Sequence, residues 1–435
     1  MSISLRPEHL ARYRDVALLL FKYGRGDLVK RAGLAELLPD DAKDPAEATP
    51  EARGLADDLE RLGPTFIKLG QLLSTRPDLV PAAYAEALKR LQDDVAPIPF
   101  EAVQTILREE LGDRLDKGFK AIIPEPLAAA SIAQVHYALL HDGRRVAIKV
   151  QRPGIRDQVL ADLEAIGQVV SFLRLHSEFV QRYDIALLFE EFRKSLLREL
   201  DFRQEAMHLV TIGRNLQEIE EVSVPQPIER LSTSRVLTMD FVSGSKITAL
   251  SPLAKKEMDG ERLADALFRA YLKQILRDGI FHADPHPGNV FLAGEKIALI
   301  DLGMVARVTP GLQDRLLQLL LAVSENRADD AVKTLVLMGR CRDDANLDAF
   351  RRGVTDLIAE HQEVSTRRPQ VGRAVLMLLS WHSYGEQLPS APIQRHVLPV
   401  TAMRMEKNYL PDTRLIKICS TMNGCSRHIR PPWKC

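Results

Sequence analysis

The string His282-Ala-Asp284-Pro-His286-Pro-Gly-Asn289, followed by Leu299-Ile-Asp301-Leu-Gly303, has residue types and spacings suited to phosphoryl transfer. Asp284 is a carboxylate that can orient or deprotonate an acceptor hydroxyl, and Asn289 offers an amide oxygen to a metal. Asp301, ending an apolar strand, is the carboxylate that holds Mg2+ between nucleotide phosphates. Upstream, Arg145-Val-Ala-Ile-Lys149-Val alternates like a strand and ends in the kind of lysine that contacts α and β phosphates. Such a lysine needs a carboxylate to orient it. The helical candidates are Glu164 and, in Glu199-Leu-Asp201-Phe-Arg-Gln-Glu205, the three acids of that segment.

A glycine-rich phosphate loop is missing. No glycine occurs between Gly118 and Gly143, and the stretch before the lysine strand reads Pro126-Leu-Ala128-Ala129-Ala130-Ser131. Alanine carries a Cβ and avoids the positive φ angles that glycine tolerates, so phosphates are expected in a different pose here. No Gly-x4-Gly-Lys-Ser/Thr occurs, which disfavours a P-loop ATPase. The spacing of His282 and His286 suggests a metal pair. Pro285 and Pro287 forbid a regular helix between them, however, so catalytic-loop or structural roles are the better reading.

Together these motifs resemble the UbiB family of atypical protein-kinase-like proteins, the AarF and ADCK relatives linked to ubiquinone biosynthesis. The resemblance rests on Lys68-Leu-Gly-Gln71, the alanine-rich Ala128-Ala129-Ala130-Ser131, Glu199-Leu-Asp201, and the motifs at Asp284, Asn289 and Asp301. It implies an α+β, two-lobed protein-kinase-like fold with a helical N-terminal extension. It implies that Glu205 pairs with Lys149, and that Glu199 and Asp201 serve the metal or close the Lys68–Gln71 segment over the cleft. Lys68 and Gln71 are then a plug and regulator rather than chemical groups. The implied cofactors are ATP or ADP and Mg2+. The implied partners are lipid quinone precursors, ubiquinone-pathway proteins and a membrane surface. Small-molecule phosphotransferases share the His-Pro-Gly-Asn form of the catalytic loop, which keeps that activity, and a non-catalytic nucleotide-binding scaffold, as alternatives.

These motifs must be positioned by a sizeable fold, and 435 residues suffice for one. We expect a helical extension over residues 1–118, a smaller lobe over 119–243 and a mostly helical lobe over 244–435. Within them, strands are expected around Ala129–Leu140, Arg145–Gln151, Arg235–Phe241 and Ile297–Asp301, with long helices from 156 to 217. Gly63-Pro64 reads as a helix start.

Charge is balanced, 59 basic against 59 acidic residues, and no basic run is interleaved with aromatics, so nucleic-acid binding is rejected. The N-terminus lacks a secretory pattern, and four cysteines give no disulfide framework, so a reducing cytoplasmic setting is expected. A zinc reading of Cys419, Cys425, His428 and Cys435 lacks paired knuckles. No apolar run is long enough to span a bilayer. Peripheral attachment at the inner membrane is what the resemblance leaves open. The apolar stretch from Leu10 to Tyr23 reads as an amphipathic helix that packs on the protein's own core or docks on a membrane surface.

Overall fold

The computed structural model describes residues 52–363, except 75–78, 81, 92–94, 177–184, 252–257, 284–286 and 339–346, and before them residues 12, 14–16, 18, 19, 22 and 23. Asp284, His286 and the cysteine-bearing tail lie outside the described residues. The chain divides into two compact units, Met1–Gln204 with Ile228–Asp240 and Glu205–Pro227 with Phe241–Cys435.

The first unit opens with three helices, α1 (Ala52–Leu62), α2 (Pro64–Ser74) and α3 (Ala82–Leu88). Pro64 sits where its missing N–H costs nothing, and the Gly63 carbonyl accepts from the amides of Phe66 and Ile67 at 3.0 Å each. Leu55, Leu59, Phe66, Ile67, Leu88 and Leu91 bury against Ile166, Val169 and Leu173. The described part of the first amphipathic segment joins this same core through Val16, with Leu18, Leu19 and Tyr23 packed beside it. Helices α4 (Phe100–Leu111) and α5 (Arg114–Gly118) lead into a four-stranded antiparallel sheet. Its order is β1 (Phe119–Ala129), β2 (Ala133–Leu140), β3 (Arg145–Gln151) and β4 (Val236–Asp240). Val103, Ile106 and Leu107 from α4 bury against Leu140, Val146, Ile148 and Val150 of the sheet. Long helices α6 (Ile155–His176) and α7 (Ile185–Glu199) follow β3, and the boundary between units falls inside α8 (Phe202–Asn215).

Two expectations needed correction. The strand expected over Ala129–Leu140 begins later, at Ala133, after the turn that follows β1, and β1 itself, which carries Pro124 and Pro126, was not expected. As the edge strand, β1 tolerates both, with register shifts on either side of Pro126. The strand expected to run to Asp301 ends at Leu299.

The second unit is built on two small sheets and a helical core. Strands β6 (Val290–Ala293) and β7 (Lys296–Leu299) form an antiparallel hairpin. Val222–Ser223 pairs parallel with β7, and Ser245–Lys246 pairs antiparallel with β6. A separate pair joins β5 (Ile280–His282) to β8 (Val305–Arg307). Around them lie α9 (Gly260–Lys273), α10 (Pro310–Ser324), α11 (Ala328–Met338) and α12 (Leu347–Glu363). Phe281, Leu316, Leu319, Ala331, Val354 and Ile358 form their buried centre. No helix among the described residues is long and apolar enough to cross a membrane.

Candidate functional site

In the first unit, Ala128 and Ala129 end β1, and the Ala130 amide donates to the Ala133 carbonyl at 2.7 Å to close a tight turn. Among the described non-glycine residues, only Asp301 and Asn326 have positive φ. The alanine turn therefore needs no left-handed residue, which is why it does without glycine. Ser131 at its tip is buried.

Lys149 lies on β3, paired with Val135 on one side and Leu237 on the other. Its ammonium stands 5.4 Å from the centre of the Phe202 ring, within cation–π range. Phe202 is held there from both ends. Its amide donates to the Ser234 carbonyl at 3.0 Å, and Gln151 Nε2 donates to the Leu200 carbonyl at 3.0 Å. The residue before it, Asp201, caps α8 by accepting from the Arg203 amide at 3.1 Å. Both Asp201 oxygens also accept from the Arg203 guanidinium at 2.8 Å, and these bonds hold its carboxyl below the usual carboxylate range. Glu199 pairs with Lys68 of α2 at 2.8 Å. Gln71, one turn on, donates to the Leu91 carbonyl at 3.4 Å. Between them, Gly70 is required by packing: a Cβ there would overlap Leu91 and Leu59 side chains.

The second unit holds the other motif residues. His282 is buried on β5; its amide donates to Gln274 Oε1 at 3.0 Å and its Nδ1 is 3.1 Å from the Tyr271 hydroxyl. This anchors the strand that precedes Asp284, which lies outside the described residues. The loop re-enters the structure in a short 3-10 turn, Pro287–Asn289. Register pairs Val290 with Leu299, so the turn and the end of β7 lie side by side, and the Ile300 amide donates to the Asn289 carbonyl at 3.0 Å. The hairpin thus brings Asn289 and Asp301 to the same end. Asp301 has left-handed backbone, φ 58°, and its Oδ1 accepts from the Gly303 amide at 3.3 Å. Glu205, buried on α8, also faces this point: a Cβ at Gly303 would lie 3.2 Å from Asp301 Oδ1 and 3.9 Å from Glu205 Oε2. His208, one turn further along α8, is 2.9 Å from the Leu302 carbonyl through Nδ1. A carbonyl only accepts, so Nδ1 carries the proton.

Among the described residues, no three His, Cys, Asp or Glu side chains gather as a metal cluster. The Asp301 carboxylate and the Asn289 amide oxygen are hard oxygen donors, the set that suits a partly hydrated Mg2+ completed by phosphate oxygens. Glu199 pairs with Lys68, and Asp201 pairs with Arg203.

Sequence reasoning passed over Gln134, His136, Arg152, Phe202 and His208. The first pair did leave a signal: two polar residues at period two in the apolar strand Ala-Gln134-Val-His136, both now fully buried. Gln134 Oε1 accepts from the Ile98 amide at 2.8 Å and its Nε2 donates to the Ile98 carbonyl at 3.2 Å. His136 Nδ1 is 2.9 Å from the Ile123 carbonyl, and its Nε2 is 2.9 Å from Gln134 Nε2. Nδ1 must therefore donate and Nε2 accept, which fixes a neutral ring. Burial pushes its pKa below the ordinary value, against weaker opposing effects of the Ile123 carbonyl and Glu125.

The ABC1 atypical kinase-like domain matches residues 90–335. An uncharacterised Synechocystis protein is 38% identical over 310 residues, 71% of this chain and 53% of its own length. A chloroplastic Arabidopsis thaliana protein named activity of bc1 complex kinase 8 is 37% identical over 307 residues, 69% of this chain and 40% of its own length. The chain thus spans about half the length of these curated relatives. A Mycobacterium tuberculosis protein solved with erythromycin superposes with a TM-score of 0.55 at 24% identity, covering 86% of this chain and 92% of that one, a likeness of fold. With its mixed helices and sheets, and with this match over more than half of its length, the chain belongs to the ABC1 atypical kinase-like family.

Proposed function

We propose that this protein binds a Mg-nucleotide, ATP or ADP, and hydrolyses or transfers the terminal phosphoryl group in the manner of the UbiB-type members of its family, in support of ubiquinone biosynthesis. The observation that carries the reading is the β6–β7 hairpin, which sets Asn289 beside the strand end that leads to a left-handed Asp301. A bound Mg2+ would neutralise charge between the phosphates. Asp301 and Asn289 supply its protein ligands, and Glu199 and Asp201 serve the metal or close the Lys68–Gln71 segment over the cleft, as the resemblance implies. Lys149 engages the α and β phosphates, Glu205 keeps the orienting role that the resemblance gives it, and the turn Ala128–Ser131 lies along the phosphates. Asp284 orients or deprotonates the acceptor, either water or a small hydroxyl. Lys68 and Gln71 regulate through the packing of α2. The lipid precursor and the pathway proteins as partners, and a peripheral place on the inner membrane, follow from the family resemblance.

The test is Mg-dependent nucleotide binding and turnover in the wild type and in Asp301→Asn, with and without anionic liposomes. A ligand at 100 times its Kd raises folding stability by about 2.7 kcal/mol, so thermal shift reads binding directly. The reading requires a Mg-dependent shift and turnover in the wild type and loss of both in the variant. A phosphorylated product in place of free phosphate identifies a small-molecule phosphotransferase. Binding without turnover in every condition identifies a scaffold.

A further inference from the structure

Residues 95–98 link the three-helix extension to the sheet and run beside the alanine turn. Three side-chain hydrogen bonds and one backbone bond hold them, and a fourth side-chain bond ties the same arginine to the turn. The Val95 amide donates to the Ala129 carbonyl at 3.4 Å. Gln134 grips both the amide and the carbonyl of Ile98, at 2.8 and 3.2 Å, as a neighbouring strand would. Arg152, three residues beyond Lys149, reaches to both sides at once. Its Nε donates to the Ala130 carbonyl at 2.8 Å and its Nη2 donates to the Ala96 carbonyl at 2.8 Å. Its own amide donates to the Ile132 carbonyl at 2.9 Å, so the arginine is itself fixed to the far side of the turn. A planar fork offers its donors in fixed, separate directions, whereas an ammonium presents its donors from one point on a flexible stem.

We propose that Arg152 is a positioning residue that staples the alanine turn to the 95–98 segment, so that the turn is a fixed cradle whose place is set by that segment. A glycine-rich loop closes over phosphates by its own backbone freedom. Here the turn is tied through the carbonyls of Ala129 and Ala130 to residues 95–98 and the arginine that bridges them. The functional consequence rests on the nucleotide reading proposed above; the staple itself does not.

Amide hydrogen exchange of the full chain without nucleotide tests the staple, comparing wild type, Arg152→Met and Arg152→Lys. Loss of a charge-assisted hydrogen bond permits local opening at least about tenfold more often. The Met variant should therefore show exchange faster by that factor at Val95, Ile98 and Ala130 together, with the β3–β4 ladder amides unchanged. Lysine should fail to restore at least one side. Faster exchange at Ala130 alone, or full restoration by lysine, overturns the proposal. Should the Met variant lose the whole sheet, the Lys variant decides alone, since it keeps length and charge. Nucleotide titration of the same proteins is read separately. Affinity weaker by about tenfold in both variants supports the cradle. Unchanged affinity in a variant with an opened turn overturns it, and absence of binding in the wild type tells against the nucleotide reading and leaves the exchange result standing.

Discussion

Lys149 and Phe202 face one another across the end of the sheet, the ammonium 5.4 Å from the ring centre and the ring 1% exposed. The aromatic face lies between Asp201 and Glu205 in sequence, inside the acidic motif that was read for its carboxylates alone. Desolvated cation–π contacts are worth about 2 kcal/mol and exposed ones about 0.5–1 kcal/mol. Phe202→Leu should therefore weaken nucleotide binding about three- to tenfold. Phe202→Tyr should preserve binding, and unaltered affinity in the Leu variant would show that the ring only fills space.

The Lys68–Glu199 pair ties α2 to α7 with side chains 16% and 19% exposed, so solvent screens it only in part. Removing one partner leaves a half-buried charge, and Lys68→Met should cost about 1–2 kcal/mol, between the values for surface and buried pairs. The swap Lys68→Glu with Glu199→Lys should recover most of that loss in urea unfolding. Equal stability of single and double variants would show that the two charges do not cooperate.

His136 gives the protein a defined response to acid. Its ring is held below the ordinary value of 6.5, mainly by burial. The unfolded chain therefore takes up a proton as pH falls through that value while the folded chain resists. The folded state binds fewer protons there, so this contribution to stability is complete above pH 6.5 and is lost as pH falls below it. Protonation also removes the acceptor that faces Gln134. Melting temperature should fall as pH drops below 6.5, and His136→Gln should flatten that segment of the curve.

Asp301 separates backbone from chemistry. Asparagine tolerates the left-handed region nearly as well as aspartate, whereas alanine is penalised by about 1 kcal/mol. Asp301→Asn should keep the wild-type melting temperature yet lose Mg-dependent ligand stabilisation, and Asp301→Ala should lose both. A destabilised Asn variant would point to a structural role for the second carboxylate oxygen.

The candidate site residues stand out in the sequence by their spacing. Lys149 was placed on a strand by its alternating neighbours, and Gly63-Pro64 marked the start of α2 as expected. The kinase-like fold class followed from motif order. What escaped notice were contacts between residues distant in sequence. Nothing local in Gln-Arg152-Pro-Gly indicates that the guanidinium bridges Ala96 and Ala130, separated by 34 positions. The Lys68–Glu199 pair joins positions 131 apart, and its motifs could be named from family resemblance but not joined by pattern alone. The strand β1 was hidden for a different reason: two prolines inside it argue for a loop unless its edge position is known.

Those prolines bear on how the protein behaves at high concentration. Strand β1 stands at the margin of its sheet and exposes Ile123 and Leu127, 41% and 51% accessible, beside a row of backbone groups. An apolar margin of this kind invites another chain to add a strand. Pro124 and Pro126 withhold two amide donors, and the displaced register around Pro126 breaks the straight run that a partner would need. A Pro124→Val, Pro126→Val double variant should therefore fold, run as larger species on gel filtration, and precipitate first on warming.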